Sequence, residues 1–252
     1  MKYIDIHSHL HDPAFDADLE DVLVRMKDAG VGTITVGTGL MSSREAVLLA
    51  EHVEHVWATI GVHPNDDPSE EFDETEFRML AKHPKVVGVG ECGLDMLKTD
   101  QTDLNRQREL FEKHIMLAKE TNLPLMLHVR DAYREVLDVL QKYEGNVRGN
   151  VHFFAGDVEI AKMFLDRGFT LSFTGVVTFA RNYDEVLRYI PDDMIMVETD
   201  APYVAPIPHR GKRNEPLFVT SIMETIATIR GTEADVFAHT MLKNSQRIFG
   251  IM

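Results

Sequence analysis

The segment Tyr3-Ile4-Asp5-Ile6-His7-Ser8-His9 closes the first apolar run of the chain with two histidines two positions apart. In a β-strand, residues i and i+2 point to the same face, so two imidazoles converge at this strand's end. Neutral imidazole is a common ligand of divalent transition metals. A lone His-x-His carries little weight, but four more candidate ligands end later apolar runs: Glu91, His128, His152 and Asp200.

Those runs set the expected fold. Strand candidates are Tyr3–His7, Thr33–Gly37, Trp57–Gly61, Val86–Glu91, Pro124–His128, Asn150–Phe154, Thr170–Phe173 and Met194–Glu198. Most are nearly continuous in apolar character, as strands buried on both faces of a parallel sheet are. Helical spacing separates them. Leu19, Val22, Leu23 and Met26 line one helix stopped by Gly30, and Leu110, Phe111, Ile115, Leu117 and Ala118 line a longer one with Asp103 as N-cap. Val136, Leu137, Val139 and Leu140 mark the helix after His128, and Ile160, Met163, Phe164 and Leu165 the helix after His152, closed by Gly168. Pro216 fits the first turn of a helix capped by Asn214, and Phe237 to Phe249 reads as a final helix. About eight βα units in this length fit a (β/α)8 TIM barrel occupying residues 1–252 as a single domain. An open doubly wound sheet is the alternative. Only a closed barrel brings the ends of the first, fourth, fifth, sixth and eighth strands around one centre, so the barrel is preferred.

Composition narrows the function. With 252 residues and 44% hydrophobic content the chain supports a large core. No linker or low-complexity segment is evident, and the apolar runs are too short to span a bilayer. Lys2, Asp5, His7 and His9 interrupt any secretory core at the N-terminus, and Cys92 is the lone cysteine, so the expected location is cytoplasmic. The net charge of -15 argues against non-specific duplex binding over a broad surface. It leaves room for an enzyme acting on phosphodiesters through bound cations. The acidic run Glu70-Glu71-Phe72-Asp73-Glu74 reads as a solvated helix face.

Imidazole and carboxylate without thiolate suit Zn, Mn, Ni, Co or Fe, whereas Mg favours more oxygen and water. Four histidines and two carboxylates exceed the set typical of one catalytic zinc. Two divalent ions sharing Glu91 explain the number better, with His7, His9 and Asp200 completing one site and His128 and His152 the other. Such a pair suits hydrolysis of a phosphate ester, because it acidifies a water and neutralises the attacking and leaving oxygens.

Six segments in order then match a family: Ile4-Asp5-Ile6-His7-Ser8-His9-Leu10, Gly61-Val62-His63-Pro64, Gly90-Glu91-Cys92-Gly93-Leu94-Asp95, Leu127-His128-Val129-Arg130-Asp131-Ala132, Val151-His152-Phe153-Phe154-Ala155-Gly156 and Glu198-Thr199-Asp200-Ala201-Pro202-Tyr203. Over essentially its whole length the chain resembles the TatD-type metal-dependent hydrolases, among the amidohydrolase-like TIM barrels. The resemblance implies a metal-dependent deoxyribonuclease, often a 3′ to 5′ exonuclease on single-stranded DNA. Two departures stand out. The family often has Cys and Ser where this chain has Phe153-Phe154-Ala155-Gly156, and aromatics where it has Met96-Leu97.

Expected roles follow. Asp200 orients and deprotonates the attacking water, and Glu91 bridges. His63 binds substrate or steadies the leaving group, with a turn role before Pro64 as the plain alternative. Arg130 offers a bidentate phosphate contact, or else a structural ion pair. Arg210, Lys212 and Arg213 form the densest basic cluster, in the loop after the eighth strand, where barrels often bind phosphate. Asp95 orients a neighbour or caps a turn, Phe179 and Tyr203 stack on a base or pack the rim, and Cys92 is a buried, inert thiol. His11 and His209 carry no signal beyond proximity. Two rivals remain: an amidohydrolase cleaving a small amide, ester or lactone, and a barrel retained only as a binding scaffold.

Overall fold

The computed structural model describes residues 1–251 apart from 66, 68, 98, 99 and 144–146. Strand β1 (Tyr3–Ser8) is followed by α1 (Leu19–Ala29), β2 (Val31–Val36), α2 (Leu40–His52), β3 (Val56–Ile60), α3 (Glu74–Leu80) and β4 (Val86–Asp95). Then come α4 (Gln101–Thr121), β5 (Leu125–Arg130), α5 (Tyr133–Gln141), β6 (Gly149–Val151), α6 (Val158–Leu165), β7 (Thr170–Phe173), α7 (Asp184–Tyr189), β8 (Ile195–Val197), α8 (Val219–Arg230) and α9 (Ala234–Phe249). The eight strands pair in parallel, each with its sequence neighbour, in a single sheet. The expected TIM-barrel architecture is therefore present. The strands are buried on both faces, which is why they read as unbroken apolar runs.

The sheet curls until its first and last strands meet just beyond β8. Ser8 bridges Ala201 in parallel, the Asp200 N–H donates to His7 O at 2.8 Å, and the His9 N–H donates to Ala201 O at 2.7 Å. Beside these bonds the Asp5 carboxyl accepts from the Thr199 N–H at 2.8 Å and its hydroxyl at 2.6 Å. Burial pushes the Asp5 carboxyl up to about 8 against the pull of these donors. The seam thus joins the His7-Ser8-His9 and Thr199-Asp200 segments directly.

Two apolar layers hold the barrel. The larger packs the outer strand faces against the helices. The smaller joins Ile4, Ile34, Trp57, Val87, Met126 and Met196, from β1 to β5 and β8, with Ile248, Phe249 and Ile251. Side chains from six strands can touch one another only inside the barrel, and the end of α9 lies against that interior.

Strand centres fall where the sequence places them, but several boundaries and caps differ. β4 runs on to Asp95, while β6 stops at Val151, because Phe153 adopts φ 46° and leaves the extended region. Asp100, not Asp103, caps α4, accepting the Asp103 N–H at 2.9 Å. Pro216 opens a short 3-10 turn after Glu215, and the Asn214 amide instead ties Thr199 O and Tyr203 O. The sequence reading assigns no helix to α2, because exposed Met41 and Leu48 blur its apolar period. The acidic run is not a helix face. Asp73 caps α3, and Glu70 accepts the Leu40 N–H at the start of α2, so only Glu74 lies in the helix.

Replacing Asp5 by Ala strands the buried Thr199 donors, so a loss of about 2–4 kcal/mol in unfolding free energy is expected. Asp5→Asn keeps an acceptor and costs less. Denaturant unfolding of the two variants checks this order.

Candidate metal centre

Every residue proposed as a ligand sits at the C-terminal rim. β1 delivers His7, β4 Glu91 and β5 His128; His9 lies one residue past β1, His152 one past β6, and Asp200 three past β8. Local backbone chemistry makes room for Glu91. Gly90 and Gly93 hold φ 147° and 139°, and a Cβ on either would collide with Met126 O or His128 O, so β4 presses on β5 only with glycine there. Asp200 itself is held at φ 58°, a left-handed conformation that Asp tolerates better than most residues.

The Glu91 carboxylate is buried at the centre. Its Oε2 lies 3.4 Å from His7 Nε2 and 3.7 Å from His9 Nε2. Its Oε1 lies 2.7 Å from His128 Nδ1, 2.9 Å from His152 Nε2 and 3.7 Å from His63 Nε2. Asp200 Oδ1 stands 3.6 Å from His7 Nε2 and 3.5 Å from His9 Nε2. Ligand atoms of His7, Glu91 and His152, and those of His7, His9 and Asp200, each fall within 4.8 Å of one another.

The imidazole nitrogens that face away decide the tautomers. His9 Nδ1 bonds Val36 O at 2.8 Å, and His128 Nε2 bonds Asp95 at 3.1 Å. His152 Nδ1 lies 3.3 Å from Glu198 Oε1, within charge-pairing distance though not aligned as a hydrogen bond. A proton held on the outer nitrogen leaves a lone pair on the inner one, the arrangement of metal-ligating histidines. Among the described residues His7 finds no hydrogen-bond partner at either ring nitrogen although it is fully buried, and its Nε2 is aimed at both carboxylates. A buried polar atom left this way is costly, and a divalent cation would satisfy it. The donor set therefore fits a metal site.

A third cluster, His63 with Asp95 and His128, also places ligand atoms within 4.8 Å. It reads differently. His63 Nδ1 accepts the Asn65 N–H at 3.2 Å, so the neutral ring carries its proton on Nε2 and presents a donor toward Glu91.

Electrostatics follow this crowding. Burial pushes the Glu91 carboxyl up, but His152, His7 and His128 together hold it well below the usual range. Burial lowers the imidazoles, yet Glu91 and Glu198 drive His152 well above its ordinary value, and Asp95 and Glu91 raise His128. His9 rises to about 9 through Asp200 and Glu91 despite burial, while burial and His152 lower His7.

The centre opens into a cavity of about 810 Å³ lined by His63, Arg130, Phe153 and Tyr203, among others. The basic loop cluster does not line it. Arg213 spends its fork on Asp18, at 2.6 and 2.8 Å, and Arg210 lies over the Phe179 ring at 3.8 Å. Lys212 is exposed outside the cavity. His209 stacks on Phe218 at 3.7 Å, whereas His11 does line the cavity, bonded to Thr35 and Ser42 at 2.8 Å. Cys92 is buried and free, with its thiol pushed up by that burial. Sequence reading missed Glu198, which also accepts from the Phe153 N–H and the Ser172 hydroxyl at 2.6 Å each. A carboxylate ending the apolar Met194–Val197 run was the available signal.

A value raised to about 9 leaves His9 protonated at pH 7 in the metal-free chain, so metal binding must expel that proton, and the upward shifts of His128 and His152 act in the same direction. Titrating Zn²⁺ into weakly buffered, metal-stripped protein at pH 7 should release more than about one proton per chain. A raised imidazole value contributes stability that is complete below its ordinary 6.5 and lost as pH climbs through about 9. The unfolding midpoint of the metal-free chain should therefore fall over that window. Stoichiometric binding without proton release would contradict these ligands.

A family model described as "TatD related DNase" matches residues 4–250. The chain is 40% identical over 254 residues to the "Uncharacterized metal-dependent hydrolase YabD" of Bacillus subtilis, covering 98% of each. It is 35% identical over 257 residues to the "3'-5' ssDNA/RNA exonuclease TatD" of Escherichia fergusonii, again covering 98% of each. The crystal structure of YjjV, a TatD homolog from Escherichia coli K12, superposes with a TM-score of 0.92 at 28% identity, over 100% of this chain and 99% of that one. With a rim of buried histidines and carboxylates suited to metal, and a family match spanning nearly all of its length, the chain belongs to the TatD related DNase family of metal-dependent hydrolases.

Proposed function

We propose that this protein is a deoxyribonuclease that removes nucleotides from the 3′ end of single-stranded DNA, with His7, His9, Glu91, His128, His152 and Asp200 as the residues that would hold two divalent ions. The observation that carries this reading is the division of the Glu91 carboxylate: Oε2 faces His7 and His9, and Oε1 faces His128 and His152. Each oxygen addresses one half of the ligand set, as a bridging carboxylate does. Asp200 completes the His7–His9 half. Zn, Mn, Ni and Co suit these donors, with Mg the alternative. A pair of such ions supplies charge neutralisation and acidifies a water for in-line displacement.

The chain's own residues do the rest. Asp200 takes the proton of the water whose oxygen attacks phosphorus. The bond from phosphorus to the 3′ oxygen breaks, and His63 Nε2–H protonates that oxygen, leaving a 5′-phosphorylated nucleotide and a strand one unit shorter. Asp95 and Glu198 hold the His128 and His152 rings in place. Arg130, exposed at the end of β5 and lining the cavity, takes a neighbouring phosphate. Arg210, Lys212 and Arg213, lying outside the cavity, are at most an outer guide for the strand. One hydrolase domain acting in the cytoplasm is part of this reading; among the described residues no helix is long and apolar enough to cross a membrane.

Metal-stripped protein reloaded separately with Mg²⁺, Mn²⁺ and Zn²⁺ should release nucleotides from a 3′-labelled single-stranded oligomer. Asp200→Asn and Glu91→Gln should each lower the rate more than about a hundredfold. Near-normal turnover by either variant with metal bound overturns the roles. Turnover of lactones or esters with no release from DNA or RNA moves the assignment to a small-molecule amidohydrolase.

A further inference from the structure

The cavity is not symmetric about the metal centre. In a barrel whose strands run in sequence order, β1 and β2 stand opposite β5 and β6. The β1–β2 side is lined by His11, Asp12, Thr38, Ser42 and Glu45, and the β5–β6 side by Arg130, Asp131, Tyr133, Phe153 and Ala155. The first side therefore carries two carboxylates and, among the described lining residues, no lysine or arginine. Glu45 is exposed and makes no hydrogen bond or ion pair among the described residues. Asp12 uses Oδ1 to accept the Ala14 N–H at 2.7 Å and keeps Oδ2. The second side carries the Arg130 guanidinium, partly offset by Asp131, together with the Phe153 ring, 6.2 Å from the His152 ring on a backbone that turns at φ 46°.

A nucleic acid strand bears a negative charge at every linkage and loses it only past its end. A strand crossing this cavity can send phosphates over Arg130, but each phosphate sent between Asp12 and Glu45 meets like charge in a partly enclosed space. We infer that the β1–β2 lobe is a terminus-reading subsite. It takes the 3′-terminal nucleoside, with Asp12 and Glu45 accepting from its free 3′-hydroxyl and repelling a 3′-phosphate. The exposed Tyr203 ring, 6.1 Å from His9, supplies a stacking face on that side. The upstream strand leaves over Phe153 and Arg130. This rests on the phosphodiesterase reading above, which also supplies the 3′ polarity. What it adds is the physical reason for end-directed cleavage and a chemical rule for which ends are accepted.

The test measures nucleotide release from two oligomers of one sequence, ending in 3′-hydroxyl or 3′-phosphate, by the metal-loaded protein and by the Asp12→Asn/Glu45→Gln double variant. The ratio of the two rates is taken within each protein, so any general loss of activity cancels. The unmodified protein should favour the hydroxyl end by at least about tenfold, and the variant should narrow this to within about threefold. If the double variant fails to fold by thermal melting, Glu45→Gln alone, at an exposed position with no hydrogen bond or ion pair among the described residues, should narrow the ratio at least about twofold. Equal rates on both ends by the unmodified protein overturn the subsite, as does a preference that the neutralised variants retain. Release from neither end with any metal is a failure of the nuclease reading and not of the charge rule.

Discussion

A single buried carboxylate organises the upper half of this molecule. Glu91 sits among the imidazoles of His7, His9, His128 and His152, and neither the charge nor the rings could be buried alone without a large desolvation cost. Their mutual proximity offsets that cost, and it requires strands far apart in sequence to end at one point. The barrel seam is the means. Ser8 meets Ala201, Asp5 meets Thr199, and the same bonds that close the ring of strands position His7, His9 and Asp200. The contacts that close the fold also bring this half of the site together.

Around the centre, the outward nitrogens matter as much as the inward ones. Val36 O, Asp95 and Glu198 each face the far side of a ring, which fixes where protons sit and so which nitrogen offers a lone pair. His63 is oriented the other way, its Nδ1 accepting the Asn65 N–H, so it presents a donor among acceptors. The same residue type thus takes two chemical roles a few ångströms apart, and only hydrogen-bond partners tell them apart.

The acidic net charge of -15 and a phosphate substrate are compatible because the field that matters is local. The described lining of the cavity carries one arginine, on the β5–β6 side, and its carboxylates either surround the centre or lie at the rim. Bound cations would supply the positive charge that the protein surface lacks. The basic loop after β8, the obvious electrostatic feature of the sequence, lies outside the cavity lining: Arg213 pins the loop to Asp18 beside α1, and Arg210 covers Phe179.

Much of this was legible in the sequence. The apolar runs located all eight strands, and the ligand candidates at their ends pointed to a closed barrel, because buried strands and their terminal polar residues are written locally. The helix α2 and the caps Asp100 and Glu70 were not legible, since exposed methionine and leucine and long-range side-chain bonds break local patterns. Nor were the fate of Arg213, the orienting role of Glu198 or the left-handed turn at Phe153. Sequence by itself determined the element order and the residue types offered to the centre. Only the tertiary structure decided which Glu91 oxygen faces which imidazole, which cations stay outside the cavity and which side of it is acidic, because those depend on contacts between segments up to the whole chain apart.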